Sequence, residues 1–215
     1  MKRTLLVVAI LGSMLATGMQ AQKMAIGPSL LWKAGVNAGN VEPGLKTGVN
    51  INLIPDIAAT FRILLNKDES IGFTADAGYA QYTYRTRPES ESVANDDNTF
   101  ILKHTFFNIA PMFYISGFQI GASFGFPLAY HAVRASGASD ADIATKQTSP
   151  NIELRIAGMI PVFRDKTGSV NVLVHGGYML TGLIDKDFYM GTSDEFNPKA
   201  ASFGIGVNYL FNLGD

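Results

Sequence analysis

The sequence predicts an all-β chain, an eight-stranded antiparallel transmembrane β-barrel of the up-and-down meander type. Three observations predict it: apolar–polar alternation in stretches of about ten residues, connections that alternate short and long, and an N-terminal export signal ahead of a weakly charged chain. The run Phe118-Gln119-Ile120-Gly121-Ala122-Ser123-Phe124-Gly125-Phe126 shows the alternation, with even positions apolar and odd ones polar or glycine. A strand has period two, so such a run has one greasy face and one wet face.

The export signal comes first. Met1-Lys2-Arg3 is a basic start, Leu5 to Leu15 an apolar core, and Ala16, Thr17, Gly18 and Ala21 are the small residues of a cleavage region. The core is too short and wrongly flanked for a spanning helix. Residues 1–21 are therefore read as a signal peptide, with a cut after Gly18 as the alternative, and residues 22–215 as one barrel domain. The chain has no cysteine, which excludes a lipid-anchored cysteine, disulfides and thiolate metal sites. Without Lys2 and Arg3, 15 basic residues face 18 acidic ones, a net charge of −3 that argues against a nucleic-acid partner. Charged residues make up 16% of the chain, well below the roughly 25% usual for soluble domains. No segment beyond the signal has the roughly 20 consecutive apolar residues of a membrane helix.

Eight strands follow in order. The first, about Met24–Val36, puts Ile26, Leu30, Trp32 and Val36 on one face. The second, Asp56–Leu65, begins after Pro55, where proline removes no ladder bond. The third, Ser70–Arg85, alternates Ile71, Phe73, Ala75, Ala77 and Tyr79 with Gly72, Thr74, Asp76 and Gly78. The fourth, Phe100–Ser116, has Phe107, Ile109, Pro111, Phe113 and Ile115 on its apolar face. The fifth and sixth are Phe118–Tyr130 and Pro150–Phe163. The seventh, Ser169–Ile184, sets Val170, Val172 and Val174 against Asn171 and His175. The eighth is Ala200–Leu213, with Phe203, Ile205, Val207, Tyr209 and Phe211 together.

Asn66–Glu69, Ser116-Gly117 and Arg164–Gly168 read as tight turns, while 37–54, 86–99, 131–149 and 185–199 read as long polar connections. Small outer-membrane barrels have short periplasmic turns and longer outward loops. Eight strands then give three turns below and four loops above. The first long connection contains an alternating stretch, Gly48–Ile54, that either rises above the membrane or holds an extra strand pair. On the apolar parity, Gln81, Thr83 and Arg85 of the third strand face Ile101, Lys103 and Thr105 of the fourth at the long-loop end. Trp32, Tyr82, Tyr84 and Tyr130 are expected as an interfacial aromatic girdle at that end, and Phe61, Phe73, Phe113, Phe163 and Phe211 at the other.

The less apolar face is rich in Gly, Asn, Ser and Thr with isolated charges, too poor in Lys and Glu for a water-facing exterior. It is read as a lumen, which in eight strands is filled by side chains. The candidate lumen network is Lys33, Asp56, Arg62, Asp76, His104, Glu153, Arg155 and His175, three positive and three negative residues with two histidines. Confined charges must pair or stay hydrated. The network is expected to plug the barrel, with a narrow ion path as the alternative.

No catalytic, cofactor or metal-binding residues are assigned. His131, with Arg134 and Ser136 beyond it, offers residue types found in outer-membrane lipid-modifying enzymes, but no local motif of such an enzyme. Ser136–Asp142 and Glu89–Asp97 read as small, polar, partly acidic outward loops. The expected role is therefore structural or interactive, through the outward loops, with outer-membrane lipids and a loop-bound protein as partners.

Several runs carry a resemblance. The signal end Met19-Gln20-Ala21-Gln22, the runs Gly35-Val36-Asn37 and Pro55–Phe61, the hairpin Ile63–Asp68 with Ile71-Gly72-Phe73, and the terminal Gly206–Phe211 resemble small outer-membrane barrels of Bacteroidetes-type bacteria. That group includes PorT-like members implicated in protein secretion, so the resemblance implies an outer-membrane location and, as an alternative role, a secretion accessory. The chain departs from the usual terminal aromatic by continuing Asn212-Leu213-Gly214-Asp215 after Phe211.

Overall fold

The computed structural model describes residues 23–41, 44–91, 97–137, 140–143, 148–184 and 197–213. The segment 1–21, expected as an export signal, and parts of the long connections lie outside the described residues. Among the described residues eleven strands form: β1 (Lys23–Asn37), β2 (Leu45–Gly48), β3 (Asn50–Ile51), β4 (Asp56–Leu64), β5 (Ile71–Pro88), β6 (Phe100–Ile115), β7 (Phe118–Arg134), β8 (Asp140–Ile143), β9 (Asn151–Arg164), β10 (Gly168–Met179) and β11 (Ala200–Asn212). Among the described residues, no helix is long and apolar enough to cross a membrane.

The ladders run β11-β10-β9-β7-β6-β5-β4-β1, each pair antiparallel, and β1 pairs back onto β11 from Ala25–Asn212 to Asn37–Ala200. The sheet is therefore a closed barrel of eight staves, as the alternation predicts. Closure leaves no long edge, which an open sheet of this length would expose. Of the two extra pieces, β3 lies within 48–54 and pairs with β1, while β2 precedes that stretch, ending at Gly48, and pairs with β5.

Turn chemistry closes the lower end. Ser116 (φ 49°) and Gly117 (φ 90°) form a two-residue hairpin between β6 and β7. Positive φ at both central positions is the type I′ signature, whose twist suits the flanking strands. In the next turn the Asp165 carboxylate accepts from the Thr167 hydroxyl and from the amides of Thr167 and Gly168. In the first, Asn66 Oδ1 accepts from the amides of Ser70 and Ile71. Each side chain replaces ladder bonds that the turn cannot make.

The apolar parity faces out. Each stave contributes: Ile26, Ile57, Phe73, Ile109, Phe124, Ile156, Val174 and Ile205 are all between 36% and 57% exposed. Phe73 meets Phe113 edge-on at 4.5 Å, and Tyr209 meets Phe211 at 4.4 Å, near the turn end. The lower ring of Phe side chains is thus on the outside.

The upper girdle is corrected. Trp32 is outside, 44% exposed, but Tyr82, Tyr84 and Tyr130 are buried in the lumen. Tyr82 and Tyr84 share the even parity of Asp76, which is the inner face of β5. Tyr130 turns inward because Thr105 pairs with Ala129 while Phe106 pairs with Pro127, leaving Leu128 as a bulge. One extra residue inverts the parity of everything beyond it.

The strand ends also shift. β5 and β7 run on to Pro88 and Arg134, into stretches expected as loop, while β10 stops at Met179 instead of Ile184. His131 and Arg134 consequently lie on a strand. β8 occupies part of the connection expected as a polar loop, hydrogen-bonded to Tyr130–Val133. In both cases a stave rising past its neighbours offers a free backbone edge that returning chain satisfies.

Candidate functional site

The lumen is packed in three layers. At the long-loop end Ala80, Tyr82, Tyr84, Phe106, Met179, Leu183, Ile184 and Ala200 form one buried apolar cluster. At the turn end Ala25, Leu64, Tyr114, Met159, Leu173 and Leu210 form another. The polar layer lies between them. Apolar side chains thus join the expected polar lumen face at both ends, where Arg62 and Ser169 lie beside the lower cluster and His104 beside the upper.

The middle layer centres on Glu153, which is fully buried on β9. Its Oε2 accepts from Arg155 Nε at 2.6 Å and from the Tyr82 hydroxyl at 2.7 Å. The same hydroxyl accepts from Asn108 Nδ2 at 2.8 Å and Arg155 Nη2 at 3.2 Å. Oε1 lies 3.9 Å from His175 Nε2 and accepts from Ser202 at 3.4 Å. Beside this group Lys33 Nζ pairs with Asp56 Oδ2 at 2.6 Å and stands 3.8 Å over the Tyr82 ring. Asp76 accepts from Thr60 at 2.7 Å. A cation over an aromatic face gains from the ring quadrupole, and more so away from water.

Glycines make room for these side chains. Arg155 sits in register between Gly121 and Gly177, and Gly204 lies between Lys33 and His175. A Cβ on Gly177 would come within 2.0 Å of Glu153 Oε1. A narrow barrel holds long polar groups where the staves on either side of them carry no side chain.

Lys33, Asp56, Arg62, Asp76, His104, Glu153, Arg155 and His175 all sit on lumen-facing positions, and the structure groups five of them. Lys33 and Asp56 pair, and Glu153, Arg155 and His175 cluster. Asp76 lines the same central cavity without an ion-pair contact. Arg62 is separate, near the lower layer, with Nη1 3.7 Å from Met159 Sδ. His104 is also separate, stacked 4.0 Å from the Tyr130 ring and 6.1 Å from that of Tyr84. Tyr82, expected in the outer girdle, and Asn108 and Ser202, not singled out by the sequence, complete the cluster. All three carry the same signal: Tyr82 shares the parity of Asp76, Asn108 lies between the outward Phe107 and Ile109, and Ser202 precedes the outward Phe203.

Between the polar layer and the lower apolar layer a cavity of about 50 Å³ remains, lined by Asp56, Asp76, Asn108, Gln119, Arg155 and His175 among others. It holds a few small molecules at most. Among the described residues no group of three or more His, Asp or Glu is arranged to hold a metal ion. At the outer rim, His131 pairs in register with Lys103 and Asp142, and Ser136 is exposed beyond β7.

No family model matches the chain, and no curated protein matches it. Solved structures do. Neisserial surface protein A (NspA) is 11% identical over 88% of this chain and 98% of its own, with a TM-score of 0.36. The outer-membrane protein OprG of Pseudomonas aeruginosa is 10% identical over 92% and 100%, TM-score 0.35. Ail, the attachment invasion locus protein of Yersinia pestis, is 14% identical over 88% and 97%, TM-score 0.33.

Proposed function

We propose that the chain is an integral outer-membrane barrel with a plugged lumen, acting without catalysis through the surface at its long-loop end. The carrying observation is the stacking in the lumen: two apolar layers enclose a paired polar layer, with about 50 Å³ between. A pore needs a continuous wet path, and neither apolar layer offers one.

The outer face supports a membrane setting. A ring of half-exposed Ile, Val and Phe on all eight staves far exceeds the apolar patches that soluble monomers tolerate. A soluble barrel would carry charge on that face. The resemblance of Pro55–Phe61 and Gly206–Phe211 to Bacteroidetes-type outer-membrane barrels supports the same location. The tight turns then face the periplasm and the long connections the outside.

The long-loop end supports an interaction role. There β5, β6 and β7 rise together to Pro88, Phe100 and Arg134, carrying β2 and β8 on their edges. Such a rigid raised sheet presents a surface that mobile loops alone would not. Planar-bilayer recording tests the plug: the wild type is silent, and removing bulk from both apolar layers, with Phe106→Gly above and Leu210→Gly below, opens small steps. Ohmic steps in the wild type, abolished by Glu153→Gln, would establish the narrow channel instead.

A further inference from the structure

One stave is broken where the other seven are continuous. Descending from the long-loop end, β2, β3 and β4 are three pieces of one strand, interrupted at Val49 and again over 52–55. In the second gap side chains replace the ladder: Asn52 Nδ2 donates to the Gln81 carbonyl at 2.7 Å, and the Gln81 amide donates to Asp56 Oδ1 at 2.9 Å. The chain bows away from the barrel, leaving Leu53 90% and Ile51 68% exposed.

Between this bow and the outer face of β5 and β6 lies a groove of about 700 Å³. Its floor is polar. Asn50 Nδ2 donates to the Thr83 hydroxyl at 2.8 Å, Arg85 Nε donates to Asn50 Oδ1 at 3.3 Å, and Thr83 pairs in register with Lys103. Arg85 and Lys103 are the charged residues lining it, with no carboxylate among the described lining residues. Its height is fixed by register. Tyr79–Phe107, in the apolar ring, is the pair just below Gln81–Thr105. The groove therefore begins where the apolar ring ends.

We propose that this groove seats a phosphate-bearing lipid of the outer leaflet, its phosphate at Arg85 and Lys103 and its acyl chain along Ile51, Leu53 and Ile54. The inference rests on the membrane reading above, with the turn end periplasmic. A free anion would meet the two cations but leave the apolar bow in water. A hydrocarbon alone would cover the bow but not the cations. A phosphorylated lipid carries both chemistries, in the order in which the wall presents them.

The full-length protein is first floated with phosphatidylcholine vesicles. Native mass spectrometry from mixed micelles then compares retention of bisphosphorylated lipid A with its dephosphorylated form. The expected result is retention of the bisphosphorylated form about tenfold above the other, a ratio of the size that charge-assisted contacts give. Arg85→Gln with Lys103→Gln removes that preference, Leu53→Asn weakens retention of both forms, and Lys166→Gln at the turn end changes neither. Equal retention of the two forms, or an unchanged preference in the double variant, overturns the lipid site while leaving the barrel reading intact. Failure to float with vesicles overturns the membrane reading and the lipid site together.

Discussion

The Tyr82 hydroxyl donates to Glu153 Oε2 over 2.7 Å and accepts from Asn108 Nδ2 over 2.8 Å, so one phenol joins β5, β6 and β9 across the lumen. Tyr82→Phe keeps the ring beneath Lys33 and removes only the oxygen. It is expected to cost about 1–3 kcal/mol, because a buried acceptor and a buried donor lose their partner. Glu153→Gln should cost more, about 3–5 kcal/mol, since Arg155 is then left buried without its counter-charge. Urea midpoints of vesicle-inserted protein, read from the shift in gel mobility on unfolding, order the two variants.

At the turn end Glu69 is held between Lys23 and Arg164, tying the start of β1 to the end of β9. The hydrogen bond from Lys23 holds the Glu69 carboxyl below the usual glutamate range, against burial that pushes it up, with Arg164 adding to the lowering. A depressed value in the folded state gives stability that is present above the ordinary glutamate range. That stability is lost as pH falls through the lowered value. Wild-type unfolding midpoints are therefore expected to fall on acidification more steeply than those of Glu69→Gln, with the two converging in strong acid. Parallel pH profiles would show that the clamp contributes nothing.

Depth can be read from two lysine substitutions. Ile109 faces outward in the middle of the apolar ring, in register with Ala77 and Phe124. Ile109→Lys is expected to cost about 2–4 kcal/mol in a bilayer, and Val49→Lys, above the ring, about 0–1 kcal/mol. Equal costs in vesicles would contradict a membrane-embedded ring.

The Ser116-Gly117 turn gives a local test of barrel closure. At Gly117, φ is 90° and an added Cβ would meet the Met159 carbonyl oxygen at 2.9 Å. Gly117→Val is expected to destabilise by about 1–3 kcal/mol, as a strained left-handed residue does. Ser116→Gly should be neutral or slightly stabilising, because glycine adopts that φ freely. Refolding yields into detergent, followed by gel mobility, separate the two.

The sequence was most informative where structure is local. Period-two alternation and turn residues such as Ser116-Gly117 and Asp165 act over a few positions, so the eight staves and three lower turns were legible. Parity also placed Lys33, Asp56, Glu153 and Arg155 on the inner face. Their partners were not legible, because pairing across a barrel depends on stagger between strands. Arg62 shows the consequence: it shares the parity of the network yet lies a layer below it. Tyr130 was misplaced because a single bulged residue, Leu128, carries no clear mark in the chain. Tyr82 and Tyr84 were misplaced for another reason. Their even parity, shared with Asp76, outranks the preference of tyrosine for interfaces and turns both rings inward.

The seam between β1 and β11 joins the first and last strands of the ring, residues almost as far apart in the chain as any two can be. Each of the other seven ladders between staves joins strands that are neighbours in the ring's chain order, three of them across a tight turn. This one gains nothing until all the rest are in place, and it carries the largest loop-closure entropy in the molecule. The ring therefore has a natural last step. Until then its two unpaired edges lie at opposite ends of a curled ribbon, and whatever handles the unfinished chain must keep those two edges from pairing with anything else.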